Sequence, residues 1–142
     1  MNLKKLAHWI LVLGLSGPLL SVAADSNEPV CQPVTKSGIT YVSGGNGLEE
    51  RQALNDVSGD YNLKLVFAEK QSGSYLADVK LSIMDMKGRK VLEAISDGPW
   101  FLAKLVPGRY KITAEIAGKT QVRQAKVGSG RLAQLYFYWH VE

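Results

Sequence analysis

From Tyr61 onward the apolar residues recur with a period of two, and turn-forming residues break the pattern every eight to twelve or so positions. Extended backbone sends successive side chains to opposite faces, so each alternating stretch is a strand with one face to bury. The clearest stretch has Tyr110, Ile112, Ala114 and Ile116 alternating with Lys111, Thr113 and Glu115. Leu63, Leu65 and Phe67 repeat the pattern, as do Val79, Leu81 and Ile83 against Lys80 and Ser82, within a strand expected over residues 76–84. Further strands are expected over 91–96, 100–105, 120–127 and 132–141. Gln71 to Ser74, Met86 to Arg89, Asp97 to Pro99, Gly118 and Gly128 to Gly130 supply the turns between them. At Pro107-Gly108 the proline presets φ, and Gly108 is expected to take a positive one. Seven short strands with tight turns cannot each bury a face in one open sheet. Two sheets packed face to face can, so the expected fold is all-β: a seven-stranded antiparallel β-sandwich with one short N-terminal helix.

The N-terminal part has a different composition. Lys4 and Lys5 precede an apolar run from Leu6 to Leu15, followed by the small-residue stretch Ser21-Val22-Ala23-Ala24. That order reads as a cleavable export signal over residues 1–24. A membrane-spanning helix needs about 20 apolar residues, and Ser16, Gly17 and Pro18 interrupt this run early, which favours cleavage over anchoring. The signal would take two of the 17 Lys and Arg and none of the 13 Asp and Glu, leaving a net charge of +2. Such a nearly neutral remainder gives no general attraction to nucleic acid. Export implies a periplasmic or secreted location, where the lone Cys31 would meet an oxidising environment. Three readings stay open for it: an intermolecular disulfide, a reactive thiol, or an incidental free thiol. Residues 25–38 read as a disordered tail, 39–42 as a short strand, and 43–47 as a Gly-rich turn. Residues 48–55 read as the helix, with Leu48, Leu54 and Val57 available for its apolar face and Ser58-Gly59-Asp60 at its end.

Three runs sharpen the fold: Leu76-Ala77-Asp78-Val79-Lys80-Leu81-Ser82-Ile83, Asp97-Gly98-Pro99-Trp100-Phe101 and Leu105-Val106-Pro107-Gly108-Arg109-Tyr110-Lys111-Ile112. Together they resemble the carboxypeptidase regulatory-like domains of the transthyretin-like, or prealbumin-like, sandwich. That pattern has an A-x-V strand, a D-G-x-F turn and an L-x-P-G-x-Y entry to a strand. Ala77/Val79, Asp97/Gly98/Phe101 and Leu105/Pro107/Gly108/Tyr110 match it, with one extra residue in the middle element. The resemblance covers roughly residues 61–139 and implies an Ig-like, transthyretin-like sandwich. Such domains serve as accessory, binding or structural modules, so the motifs speak for fold and hardly for activity. The whole chain is similar to small exported proteins of Gram-negative bacteria.

Catalytic chemistry is poorly supplied. Beyond the export signal only His140 remains, too few histidines for a His-pair metal site or multi-histidine catalysis. The transthyretin-like hydrolases of purine breakdown carry several histidines and end in Tyr-Arg-Gly-Ser, whereas this chain ends Tyr138-Trp139-His140-Val141-Glu142. Intradiol dioxygenases on a related sandwich need paired Tyr and His ligands. No G-x-S-x-G is present for a serine nucleophile. Asp78, Asp85, Glu93 and Asp97 read as turn or outer-face acids rather than a glycosidase pair. Gly44-Gly45-Asn46-Gly47 lacks the G-K-[ST] of a phosphate loop and is followed by Glu49-Glu50. The expectation is no enzyme, no cofactor and no metal.

Aromatic residues carry the functional expectation instead. The last strand sets Leu135, Phe137, Trp139 and Val141 on one face and Tyr136, Tyr138 and His140 on the other. With the first set in the core, the second is either a binding stripe or is covered by the N-terminal segment or helix. Trp100, beside the Asp97-Gly98-Pro99 break, is the fourth candidate, with rim packing as its other reading. The leading expectation is a non-catalytic exported module that contacts an envelope protein or glycan through Trp100, Tyr136, Tyr138 and His140. The alternative is an assembly protein acting by edge-strand pairing or a Cys31-linked dimer.

Overall fold

The computed structural model describes residues 28–141, together with Gly14, Gly17 and Pro18. The expected export signal and the start of the expected tail therefore lie almost wholly outside the described residues. The chain runs β1 (Val34–Lys36), β2 (Ile39–Gly44), α1 (Leu48–Val57), a 3-10 turn (Ser58–Asp60), β3 (Leu63–Glu69), β4 (Val79–Asp85), β5 (Lys90–Ser96), β6 (Trp100–Lys104), β7 (Gly108–Ile116), β8 (Lys119–Val127) and β9 (Ala133–Trp139). One sheet has the order β1-β2-β6-β3-β9 and the other β5-β4-β7-β8. Between them lies a single core in which Leu63, Leu65, Phe67, Val79, Ile83, Phe101, Ile112, Ala114 and Phe137 are buried to the last few square ångströms. The alternating residues of the sequence are those that fill it.

The expected sandwich is present, with corrections. Among the described residues it has nine strands rather than seven, and its first sheet is mixed, because β9 runs parallel to β3 from Leu63↔Ala133 to Glu69↔Trp139. Hairpin turns dictate antiparallel neighbours, but β9 is reached by crossing from one sheet to the other. β8 ends where β3 begins, so the chain re-enters the first sheet at that end and must run the same way as β3. Residues 25–38 are not tail throughout. Val34–Lys36 pairs with Ile39–Tyr41 across a turn in which Ser37 and Gly38 both take positive φ, 52° and 78°, the geometry of a two-residue hairpin. Gly108 does not take the positive φ expected of it; it is already in β7, opposite Val127. The loop before it is closed instead by Tyr110, whose hydroxyl donates to the Val106 carbonyl. In α1 only Leu54 is buried, while Leu48 and Val57 are exposed. The expected strand at 76–84 starts later, at Val79, after Asp78 takes a φ of 58°.

Two close approaches lock the fold locally. A Cβ on Gly98 would lie 2.2 Å from the Gly44 carbonyl oxygen, so the Asp97-Gly98-Pro99 break must be glycine at its centre for β2 to pass. Asn62, buried at the entry to β3, donates to the carbonyls of Leu105 and Gly128 at 2.7 and 3.1 Å and accepts the Leu105 N–H at 2.8 Å. It ties three loops together at one end of the sandwich.

Candidate functional site

Register decides which side chains share the outer face of the first sheet. Leu102 of β6 sits between Val42 of β2 and Lys64 of β3, and Val66 sits between Trp100 of β6 and Tyr136 of β9. Farther along, Ala68 is flanked by Tyr138 on one side and bridges Tyr75 on the other. Cross-strand partners point to the same face, so Trp100, Tyr75, Tyr136 and Tyr138 surround the small, buried Val66 and Ala68. Tyr136 and Tyr138 are 43% and 47% exposed, Tyr75 is 49% exposed, and Trp100 is half-buried. The two tyrosine rings of β9 lie nearly parallel, 10° apart in plane with centroids 6.3 Å apart.

Helix α1 explains why this part of the face is free. Ten residues of helix span about 15 Å, and α1 seats Leu54 on Val42 and Leu102, with Cys31, Tyr61 and Trp100 around them. It covers β2 and β6 and leaves the β9 side open. Among the described residues, neither α1 nor the segment that begins at Glu28 covers Tyr136 and Tyr138.

Cations border the aromatic patch. The Lys64 ammonium lies 3.5 Å from the Trp100 ring centroid, and burial lowers its pKa from the usual lysine value. Arg51 of α1 places its guanidinium 5.2 Å from the Tyr75 ring centroid and donates to the Gly45 carbonyl at 2.9 Å. The indole Nε1 of Trp100 is buried with no hydrogen-bond partner among the described residues. Sequence reasoning missed Tyr75, Lys64 and Arg51. Tyr75, an aromatic residue directly after a Gly-Ser turn, was the one readable signal.

The other expected residues fall elsewhere. His140 follows the last strand, exposed, and its carbonyl accepts from Lys119 Nζ at 2.8 Å. Cys31 is not in a loose tail. It is half-buried against α1 and β2, where a Cβ on Gly44 would come within 2.7 Å of its sulfur, and burial, then the Glu50 charge, raises its pKa. The Gly44–Gly47 loop holds no vacant anion site at its first N–H groups, because Gly45 and Asn46 donate to the Glu50 carboxylate at 2.8 and 2.9 Å. Three of the four acids have partners of their own, as Asp85 binds Arg89, Glu93 binds Lys90 and Asp97 faces Ser43, while Asp78 stands at the turn into β4. Among the described residues no three His, Cys, Asp or Glu side chains are grouped to hold a metal ion. A hollow of about 510 Å³ opens between the β1–β2 edge and β5, lined by Lys36, Tyr41, Lys80, Glu93 and Asp97, away from the aromatic face.

Compared with models of protein families and with curated proteins, the chain matches none.

Proposed function

We propose that this chain is a non-catalytic binding module of the bacterial envelope that holds a glycan on the patch formed by Tyr75, Trp100, Tyr136 and Tyr138. The observation that carries the reading is the exposed, near-parallel Tyr136–Tyr138 pair beside Trp100 on a rigid sheet. Flat aromatic faces with polar tips suit the apolar faces and hydroxyl rims of sugar rings, and rings held on strands lose little freedom on binding. Arg51, at the border beside Tyr75, favours a glycan that carries acidic groups. The resemblance to carboxypeptidase regulatory-like domains agrees with an accessory role. A protein partner would use the same rings.

The test is a glycan array paired with partner capture from an envelope extract, using wild type and Tyr136→Ala/Tyr138→Ala. Retention of acidic glycans that falls at least tenfold in the double variant, with an unchanged melting midpoint, is the expected result. Capture of a protein through the same tyrosines would replace the glycan. No binding to either, with the variant altered only in stability, removes the proposal. Edge pairing, the competing reading, finds little support at β9, where Lys119, Gln121 and Arg123 of β8 donate to the carbonyls of His140, Tyr138 and Tyr136.

A further inference from the structure

The chain carries 17 Lys and Arg against 13 Asp and Glu, and this charge is unevenly spread in space. Register places the β4–β5 turn, the β6–β7 loop and the β8–β9 loop at one end of the sandwich: Asp85 lies opposite Tyr110, Gly108 opposite Val127, and Leu63 opposite both Ala103 and Ala133. Lys87, Arg89, Lys104, Arg109, Lys126 and Arg131 stand on this end. Carboxylates share it as well. Asp85 is bound to Arg89, and Asp60 lines the hollow next to Lys104. Arg109 and Lys126 are direct cross-strand partners, an arrangement of like charges that weakens strand pairing. On the same outer face the next row inward is Met84, Lys111 and Gln124, which has no acid.

Two apolar side chains project from this basic end. Val106, in the β6–β7 loop, is 78% exposed, more than any other large apolar residue among those described, and Met86, in the β4–β5 turn, is 56% exposed. Apolar loop tips ringed by cations are unfavourable in water, yet they fit a lipid–water interface. There the tips reach the acyl boundary and the cations meet headgroup phosphates. The aromatic patch lies toward the opposite end, since Trp100 opens β6 and Tyr138 is near the end of β9.

We propose that the Val106–Met86 end of the sandwich docks on the anionic headgroup surface of a lipid bilayer, with Arg109 and Lys126 contacting lipid phosphates. Docked this way, the domain presents its aromatic patch away from the bilayer. The proposal stands whether or not that patch binds a glycan.

The experiment is co-sedimentation of the chain, purified in the form the producing cell leaves it, with phosphatidylcholine vesicles and with vesicles in which a third of the lipid is phosphatidylglycerol. Binding is expected on the anionic vesicles only and should weaken as salt rises. Each removed cation is expected to cost roughly fivefold in affinity, so Arg109→Gln/Lys126→Gln should lose about 25-fold. Val106→Asp should also weaken binding. Both changes are at exposed side chains, and melting curves that match wild type establish that folding is intact. Equal binding to neutral vesicles, or anionic binding that neither variant alters, overturns the proposal. Complete displacement by inorganic phosphate at constant ionic strength, with Val106→Asp without effect, also overturns it and makes the cations a site for a single phosphate.

Discussion

At the scale of single residues, side chains that bond to backbone in several loops hold this domain together, and Asn62 is the clearest. Its amide satisfies Leu105 through both its donor and its acceptor and reaches Gly128 as well, so one buried side chain fixes the starts of β3 and β7 and the exit from β8. Asn62→Ala leaves the Leu105 N–H and two carbonyls without partners in a poorly solvated place. The expected cost is about 2–4 kcal/mol in unfolding free energy, read from urea titration, with little change in the denaturant slope. A loss within about 0.5 kcal/mol would mean that water replaces the amide at no cost. Nothing in the alternation pattern singles Asn62 out, because its neighbours Tyr61 and Leu63 carry the strand signal and the polar residue between them reads as a turn. Gly98 was legible as a turn, but the reason it must be glycine was not, since its constraint is the Gly44 backbone 54 positions away.

At the scale of elements, strands were legible where one face is buried and the other wet. β7 carries that pattern unbroken, and β4 nearly so. β1 was missed because three exposed residues, Val34, Thr35 and Lys36, bury nothing and have no alternation to show; the readable clue was Ser37-Gly38 before Ile39. The parallel partnership of β9 was illegible for a different reason, as it depends on the end at which the chain changes sheets. The β4–β5 hairpin shows how a turn acid works. Asp85 accepts from the N–H groups of Lys87 and Arg89 at 2.9 and 3.0 Å and pairs with the Arg89 guanidinium at 2.9 Å. The Arg89 backbone hydrogen bond is the main cause holding its pKa below the ordinary 3.8. A carboxyl lowered on folding contributes stability in full above its ordinary value and loses it as the pH falls through the folded one. Asp85→Asn is therefore expected to melt below wild type at pH 7, with the gap closing as the pH drops below the ordinary carboxyl range. A gap that stays constant from neutral to acid would assign the loss to geometry rather than charge.

At the scale of the whole molecule, the aromatic stripe was readable in Tyr136 and Tyr138, but its exposure was not. Exposure depends on how far a ten-residue helix reaches across the sheet, and α1 stops at β6. The same scale decides how the two sheets close along β9. Its outward carbonyls at Tyr136, Tyr138 and His140 would form an open strand edge, a template for pairing with another chain. Alternate residues of β8 reach across and donate to them, and Trp139 Nε1 returns a bond to the Lys119 carbonyl at 3.1 Å. These side chains seam the sandwich shut while leaving the tyrosine rings facing outward. Gln121→Ala/Arg123→Ala removes two of the donors and none of the core. Each lost bond is worth about 0.5–1.5 kcal/mol, so the fold should survive with a lower melting midpoint. The uncovered edge should then shift sedimentation velocity profiles toward larger species than wild type shows at the same concentration. Should the double variant keep the wild-type sedimentation profile, the edge is protected by strand twist alone and the β8 side chains serve only to join the sheets.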